Sequence, residues 1–271
     1  SIHIYLMEIA ASELIINTDG SIYHLNLLPK DLASTVITVG DPDRVSSVTK
    51  HFDTIEVTKQ KREFKTVTGV YKGKRITVIS TGIGTDNIDI VFNELDALVN
   101  IDFETRTIKD THTSLDIIRI GTSGTLQNSI PIDSFLISEK AIGFDSLMHF
   151  YESDHVLEKT ISDAFVKQTS WASDKSTPYV VSYDETLGAK FKSDTIISGL
   201  TATNVGFTYN NQAIINLEME TAGIYGMAKL LGHKAVSLNA ILANRATGEF
   251  SNDPSRLVDK LITFTLDKIV S

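Results

Sequence analysis

Thr35-Val-Ile-Thr-Val-Gly-Asp-Pro-Asp-Arg44 is the stretch on which the fold turns. Thr35 to Val39 is a β-branched run of the length of one buried strand, and Gly40 stops it. A turn carrying Pro42 follows, and Arg44 to Phe52 is expected to form a short helix. The same order recurs downstream. Arg75-Ile-Thr-Val-Ile79 reads as a strand that leads through Ser80-Thr-Gly-Ile-Gly84 into a helix over Thr85–Leu98. In that helix Ile88, Val91, Phe92 and Leu95 fall on one face of a 3.6-residue period. Leu115–Ile120 is a third strand, again ending at a glycine, Gly121.

Further strands are expected at Ser134–Ser138, Tyr179–Ser182, Ile196–Thr201, Ala213–Leu217 and Ala235–Leu242, with antiparallel strands inside Thr54–Val70. Thr221–Leu231 reads as a helix stopped by Gly232, and Ser255–Val270 as a closing helix. Strands alternating with helices predict an α/β fold, a single domain with a central mixed β-sheet flanked by helices. The 271 residues hold no repeat or low-complexity tract. Asn100–Ser114 and Glu152–Thr177 read as polar excursions from one domain over residues 21–271, and residues 1–20 as an N-terminal extension.

Composition narrows the function. A net charge of −9 and a pI of about 5.2 argue against non-specific nucleic-acid binding, which depends on a basic surface. A local arginine cluster for a small anion stays compatible with them. With no cysteine, thiolate nucleophiles and thiolate metal sites are excluded, and a cytoplasmic location fits. No apolar run approaches the roughly 20 residues of a membrane span, so no membrane partner is expected. Ser1–Ala11 lacks a basic start and is interrupted by Glu8, unlike a signal peptide. The histidines do not cluster and lack metal-ligand spacing, and there is no Gly-x-Ser-x-Gly elbow.

In open α/β sheets ligands gather beyond the carboxyl ends of strands. Gly40 lets backbone approach a ligand, and Arg44 at a helix start suits a forked contact with phosphate oxygens. Taken alone, the pair is equally a tight turn with a surface arginine. Arg119 sits inside the apolar run Asp116-Ile-Ile-Arg-Ile120, where a charge must be paired, and Gly121-Thr-Ser-Gly124 supplies backbone N–H groups for an anion. A buried arginine–carboxylate pair beside a turn explains the same residues. Glu218-Met-Glu220 sets two carboxylates between a strand and a helix, where one suits a sugar diol or simply complements the helix dipole.

Together and in this order, these segments resemble the trimeric/hexameric nucleoside phosphorylase family, especially its uridine phosphorylase branch. The match runs from His24 to the C-terminus. It rests on Tyr23-His-Leu-Asn-Leu27, Val39-Gly-Asp-Pro-Asp-Arg-Val45, Lys61-Arg-Glu-Phe64, Ser80-Thr-Gly-Ile-Gly84, Arg119-Ile-Gly-Thr-Ser-Gly124 and Asn216-Leu-Glu-Met-Glu-Thr221. The resemblance implies that Gly40, Arg44, Arg119 and Thr122 hold phosphate, joined by Arg62 from a neighbouring subunit. It implies that His24 crosses the interface to the ribose 5′-hydroxyl, that Met219 lies against the sugar, and that Glu220 binds its 2′- and 3′-hydroxyls. Arg119 and Glu220 would be the residues on which catalysis depends. Phe207 would stack on the base. Glu63, Ile83 and Asn87 match a monovalent-cation site between subunits, so potassium is compatible with the resemblance.

One segment departs from the family. The uridine branch reads the uracil edge with a Gln-x-Arg element after the stacking Phe, whereas here Thr208-Tyr-Asn-Asn-Gln212 follows Phe207 without an arginine. Asn211 or Gln212 would supply an amide, and Arg245 matches another position of the uridine branch. Purine members carry an Asp in that strand-end loop; Leu242-Ala-Asn-Arg-Ala246 has none. The activity implied is phosphorolysis of a nucleoside, uridine first, by a pentosyltransferase with inorganic phosphate as co-substrate and no required cofactor. A dimer, or a hexamer of dimers, satisfies the shared residues. The alternatives are a purine nucleoside phosphorylase, a nucleosidase using water, and a non-catalytic nucleoside-binding protein on the same fold.

Overall fold

The computed structural model describes residues 7–205 and 214–271. Strand β1 (Thr35–Val39) is buried along its whole length. Asp41 caps the next helix, α1 (Pro42–Thr49), by accepting from the Asp43 N–H. The turn expected at Pro42 is thus the helix's own first turn, where a missing N–H costs nothing. The hairpin β2 (Thr54–Lys61) and β3 (Phe64–Tyr71) follows, and β4 (Lys74–Ser80) runs antiparallel to β3 and parallel to β1. Helix α2 (Thr85–Asn100) buries Ile88, Val91, Phe92 and Leu95, the face its period predicts.

The first polar excursion is a small hairpin of β5 (Ile101–Asp102) and β6 (Thr107–Ile108). It is tied to the residues before it: the Arg106 guanidinium donates to the carbonyls of Ile9, Ala10 and Leu14. Leu14 and Ile22 join the core. Next come β7 (Asp116–Thr125) and β8 (Phe135–Gly143). The second excursion holds α3 (Lys159–Thr169), whose Phe165 packs with Phe144 and Trp171.

The remaining elements are β9 (Tyr179–Ser182), α4 (Glu185–Ala189), β10 (Ile196–Thr203), β11 (Asn216–Glu218), α5 (Thr221–Leu231), β12 (Lys234–Asn244), β13 (Glu249–Phe250) and α6 (Pro254–Val270). Among the described residues, one mixed sheet takes the order β13-β12-β8-β10-β11-β7-β1-β4-β3-β2, with β9 on β8. Because β12 also pairs with β7, strands β12, β8, β10, β11 and β7 close into a ring. Helices α1 and α6 pack on one another and on strands β3, β4, β7 and β12, while α2 packs on α5, and α5 on β8, β9, β10 and β12. This is the single α/β domain with a flanked mixed sheet that the sequence predicts.

One strand end differs from expectation in a way that matters. The sequence stops β7 at Gly121; the strand instead continues to Thr125. Its second half is held by β12, with Gly121 opposite Asn239 and Thr125 opposite Asn244. Glycine weakens a strand but does not end one that has a partner along its length. Strand β1 stops pairing with β7 at Arg119, so the two strands part there.

Gly232 ends α5 in the left-handed region, at φ 76°, where a Cβ is strained. A Cβ would also lie 2.9 Å from the His112 ring. Gly232→Ala is therefore expected to lower unfolding stability by about 1–2 kcal/mol. Urea denaturation checks this, and an unchanged midpoint would contradict it.

Candidate active site

The parting of β1 and β7 opens a cleft of about 710 Å³ at the carboxyl end of β1. Gly40, Arg44, Arg119 and Thr122 line it, as do Met219 and Glu220 from the β11–α5 junction. Glu63, Ile83, Asn87 and Arg245 complete the predicted residues it gathers. His24 and Arg62 are not among the described residues lining it. Phe207, Asn211 and Gln212 lie outside the described residues.

Arg119 is the fixed point. Its side chain is 6% exposed. Nη1 donates to Asn239 Oδ1 at 2.7 Å and to Ser237 Oγ at 3.3 Å. Nη2 lies 3.0 Å from Glu220 Oε1 and 3.4 Å from Glu218 Oε2. Gly121 is required by this packing, since a Cβ there would fall 2.1 Å from Arg119 Nη1. Burial alone would lower the pKa of Arg119, but the Glu218 and Glu220 carboxylates outweigh it and hold the charge. Leaving such a buried charge unpaired costs roughly 3–5 kcal/mol, so the pairing is what permits an arginine here.

Glu218 is the residue that sequence reasoning passed over in favour of Glu220. It accepts the Thr203 hydroxyl and the N–H groups of Glu220 and Thr221, and so sets the start of α5. Burial pushes its pKa up, Arg119 pulls against that, and neighbouring Glu220 adds to the rise. Ser237 and Asn239 were missed as well. Their signal is two polar residues at i, i+2 in an apolar strand, hence on one face.

Arg44 differs from Arg119. It is half-buried, and among the described residues nothing hydrogen-bonds its guanidinium. Burial and then the nearby positive charge of Arg119 lower its pKa, only partly offset by Asp41 and Glu220. Two converging cations, one unsatisfied, attract an anion. The Ser123 hydroxyl, also in the cleft wall, is buried with no partner among the described residues. Glu220 has Oε1 on Arg119 and Oε2 3.2 Å from the Gly84 N–H. Asn87 Nδ2 donates to Glu63 Oε1 at 3.2 Å.

His24 and Arg62 each follow one member of a contact, Tyr23 with Lys61. Arg62 is exposed at the β2–β3 turn, and its neighbour Lys61 donates to the Tyr23 carbonyl and lies 4.1 Å over the Tyr23 ring. In the folded chain two histidines do come together, contrary to the scatter in sequence: the rings of His112 and His233 are 5.5 Å apart, beside Asp96. Both ring nitrogens of His233 are engaged, Nδ1 by the Leu115 N–H and Nε2 by Asp96, and His112 Nε2 faces the Leu231 carbonyl. That bonding ties α2 to the start of β7 and leaves His233 no lone pair for a metal.

Comparison with known proteins places this cleft in context. The family model described as the phosphorylase superfamily matches residues 34–264. The uridine phosphorylase of Thermococcus kodakarensis is 29% identical over 86% of this chain and 80% of its own length. A DeoD-type purine nucleoside phosphorylase of Shewanella loihica is 26% identical over 92% and 98%. The solved Trypanosoma brucei nucleoside phosphorylase, described as showing uridine phosphorylase activity, superimposes with a TM-score of 0.80 at 24% identity, covering 95% of this chain and 99% of that one. That last likeness is one of fold. Among the described residues no helix is long and apolar enough to cross a membrane.

Because Arg44 repels Arg119 and gains little in return, Arg44→Met is expected to leave the protein without added anion at least as stable as wild type. Millimolar inorganic phosphate should raise the thermal midpoint of wild type but not of the variant. An equal rise in both would remove Arg44 from the anion site.

Proposed function

Since the chain belongs to the phosphorylase superfamily, we propose that it cleaves the glycosidic bond of a nucleoside, uridine first, with inorganic phosphate, giving free base and pentose 1-phosphate. The observation that carries this reading is Arg44, a cation with no hydrogen-bonding partner among the described residues, set beside the pinned Arg119 and the sugar-binding candidate Glu220 in one cleft. Phosphate held by Gly40, Arg44, Arg119 and Thr122 lies beneath C1′ and attacks as the base departs. Holding both reactants in one geometry supplies much of the rate gain. The phosphate charge also stabilises the oxocarbenium-like sugar of the transition state. Glu220 takes the ribose hydroxyls, exchanging its Gly84 or Arg119 contact for them, while Met219 lies against the ring. Donors at the base edge, from Arg245, Asn211 and Gln212 with Phe207 stacked on the ring, favour the leaving anion. No covalent enzyme intermediate is needed.

The reading includes a second subunit. In one chain, three arginines of the cleft face four acids: Asp41, Glu63, Glu218 and Glu220. A phosphate dianion there needs another cation, which Arg62 of the partner subunit supplies, while the partner's His24 reaches the 5′-hydroxyl. A dimer, or a hexamer built from such dimers, provides both. Glu63, Ile83 and Asn87 fit a potassium ion in kind, offering a carboxylate, a backbone carbonyl and an amide oxygen, the ligands of a hard cation. Such an ion would add positive charge near the subunit boundary. A cytoplasmic location goes with nucleoside salvage and with a chain free of cysteine. Purine relatives of similar identity favour a purine substrate as the second reading. The segment Leu242–Ala246 argues against it, having no acid to protonate a purine.

Assay of uridine, thymidine, inosine and adenosine with and without phosphate tests the proposal. Base release should require phosphate and be fastest with uridine. Arg119→Ala should lose at least 100-fold in kcat/KM, the scale of removing a charged group from a transition-state site. Phosphate-independent release would favour a nucleosidase. Unchanged phosphate affinity and rate in Arg119→Ala would sink the assignment.

A further inference from the structure

Glu94 of α2 has no place in the reading above, yet it bonds more densely than any surface carboxylate needs. Its side chain is 12% exposed. Oε1 accepts the N–H groups of His24 at 2.8 Å and Leu25 at 2.9 Å. Oε2 accepts the same His24 N–H at 3.1 Å and lies 2.9 Å from His24 Nδ1. One carboxylate therefore fixes both the backbone and the ring of His24. The ring stands edge-on to Tyr23, with centroids 4.8 Å apart, and its side chain is 29% exposed. Among the described residues His24 Nε2 has no hydrogen-bond partner.

A carboxylate accepts only, so the proton of a neutral His24 ring must sit on Nδ1. Nε2 is then left with its lone pair on a partly exposed ring, next in the chain to Tyr23, which the neighbour of Arg62, Lys61, contacts. We infer that Glu94 is a positioning residue, which holds His24 in the Nδ1–H tautomer so that Nε2 accepts a hydrogen bond from the 5′-hydroxyl of a nucleoside in the partner subunit's site. This rests on the reading of His24 given above. Glu94 touches neither substrate nor reacting atoms. Its effect reaches the reaction only through the ring it orients, as outer residues orient the histidines of metal sites. It further predicts that discrimination for a 5′-hydroxyl depends on a residue of α2, about two helical turns from the cleft wall at Asn87.

The test is the ratio of kcat/KM for uridine to that for 5′-deoxyuridine, which lacks only the hydroxyl in question. Glu94→Gln is nearly isosteric: its oxygen still accepts the backbone N–H groups, while its amide faces Nδ1 and drives the ring proton to Nε2. The ratio should fall about five- to tenfold, the worth of one hydrogen bond. His24→Ala should lower it equally, and the double variant no further. In ¹⁵N spectra of histidine-labelled protein, the protonated nitrogen of His24 should move from Nδ1 in wild type to Nε2 in Glu94→Gln. Equal losses on both substrates, or an unchanged ratio, would overturn the positioning role, as would a wild-type ring pattern in the variant. If His24→Ala itself leaves the ratio unchanged, the failure lies in the placement of His24 at the ribose, and the inference falls with it. If wild type turns over neither substrate, the phosphorolysis reading fails, while the ring spectra still decide whether Glu94 sets the tautomer.

Discussion

A guanidinium buried in the middle of a sheet sets the terms for everything around it. Arg119 sits where β1 and β7 part, and its charge is tolerated only because Glu218 and Glu220 lie within 3.4 Å of it. Those two acids exist at that place because the β11–α5 junction turns there, and Glu218 itself holds the first N–H groups of α5. Gly121 must lack a side chain for Arg119 to lie over it. Ser237 and Asn239 must be polar to take its other donors. A single buried charge thus constrains β7, β11, β12 and α5 together.

The same constraint shapes the cleft electrostatically. Arg119 has most of its donors engaged before any ligand arrives, so it contributes a fixed field and little reorganisation. Arg44 is its opposite, a cation whose donors are unspent among the described residues and whose pKa is lowered. In the function proposed, the pair divides the work on an anion: one arginine is held by its partners, the other takes up the ligand. Glu220 is bonded to Arg119 on one oxygen and to the Gly84 N–H on the other, so in the function proposed anion and sugar binding are coupled through it.

Much of this was legible in the sequence, for identifiable reasons. The frame was read from buried β-branched runs and from the period of α2, signals that local chemistry carries. Helix α5 was bounded correctly because Gly232 is a strong stop. The end of β7 was misread, since pairing to β12 across 118 residues overrides a local glycine signal. Ten of the proposed site residues line the cleft because most stand at strand ends or in the turn or first helical turn beyond, where the fold collects them. Glu218 has no role legible in the sequence, because its partners come from three separate segments and only Glu220 and Thr221 are near it in the chain. The meeting of His112 and His233 was invisible for the same reason. His24 and Arg62 do not line the cleft of their own chain among the described residues.

The central claim is that phosphate, not water, takes the place of the base at C1′. Phosphorus-31 NMR of the purified protein with uridine and phosphate tests it directly. Attack from the face opposite the base predicts a growing resonance of α-ribose 1-phosphate, matched mole for mole by uracil. Uracil accumulating with free ribose, and the phosphate resonance undiminished, would contradict it.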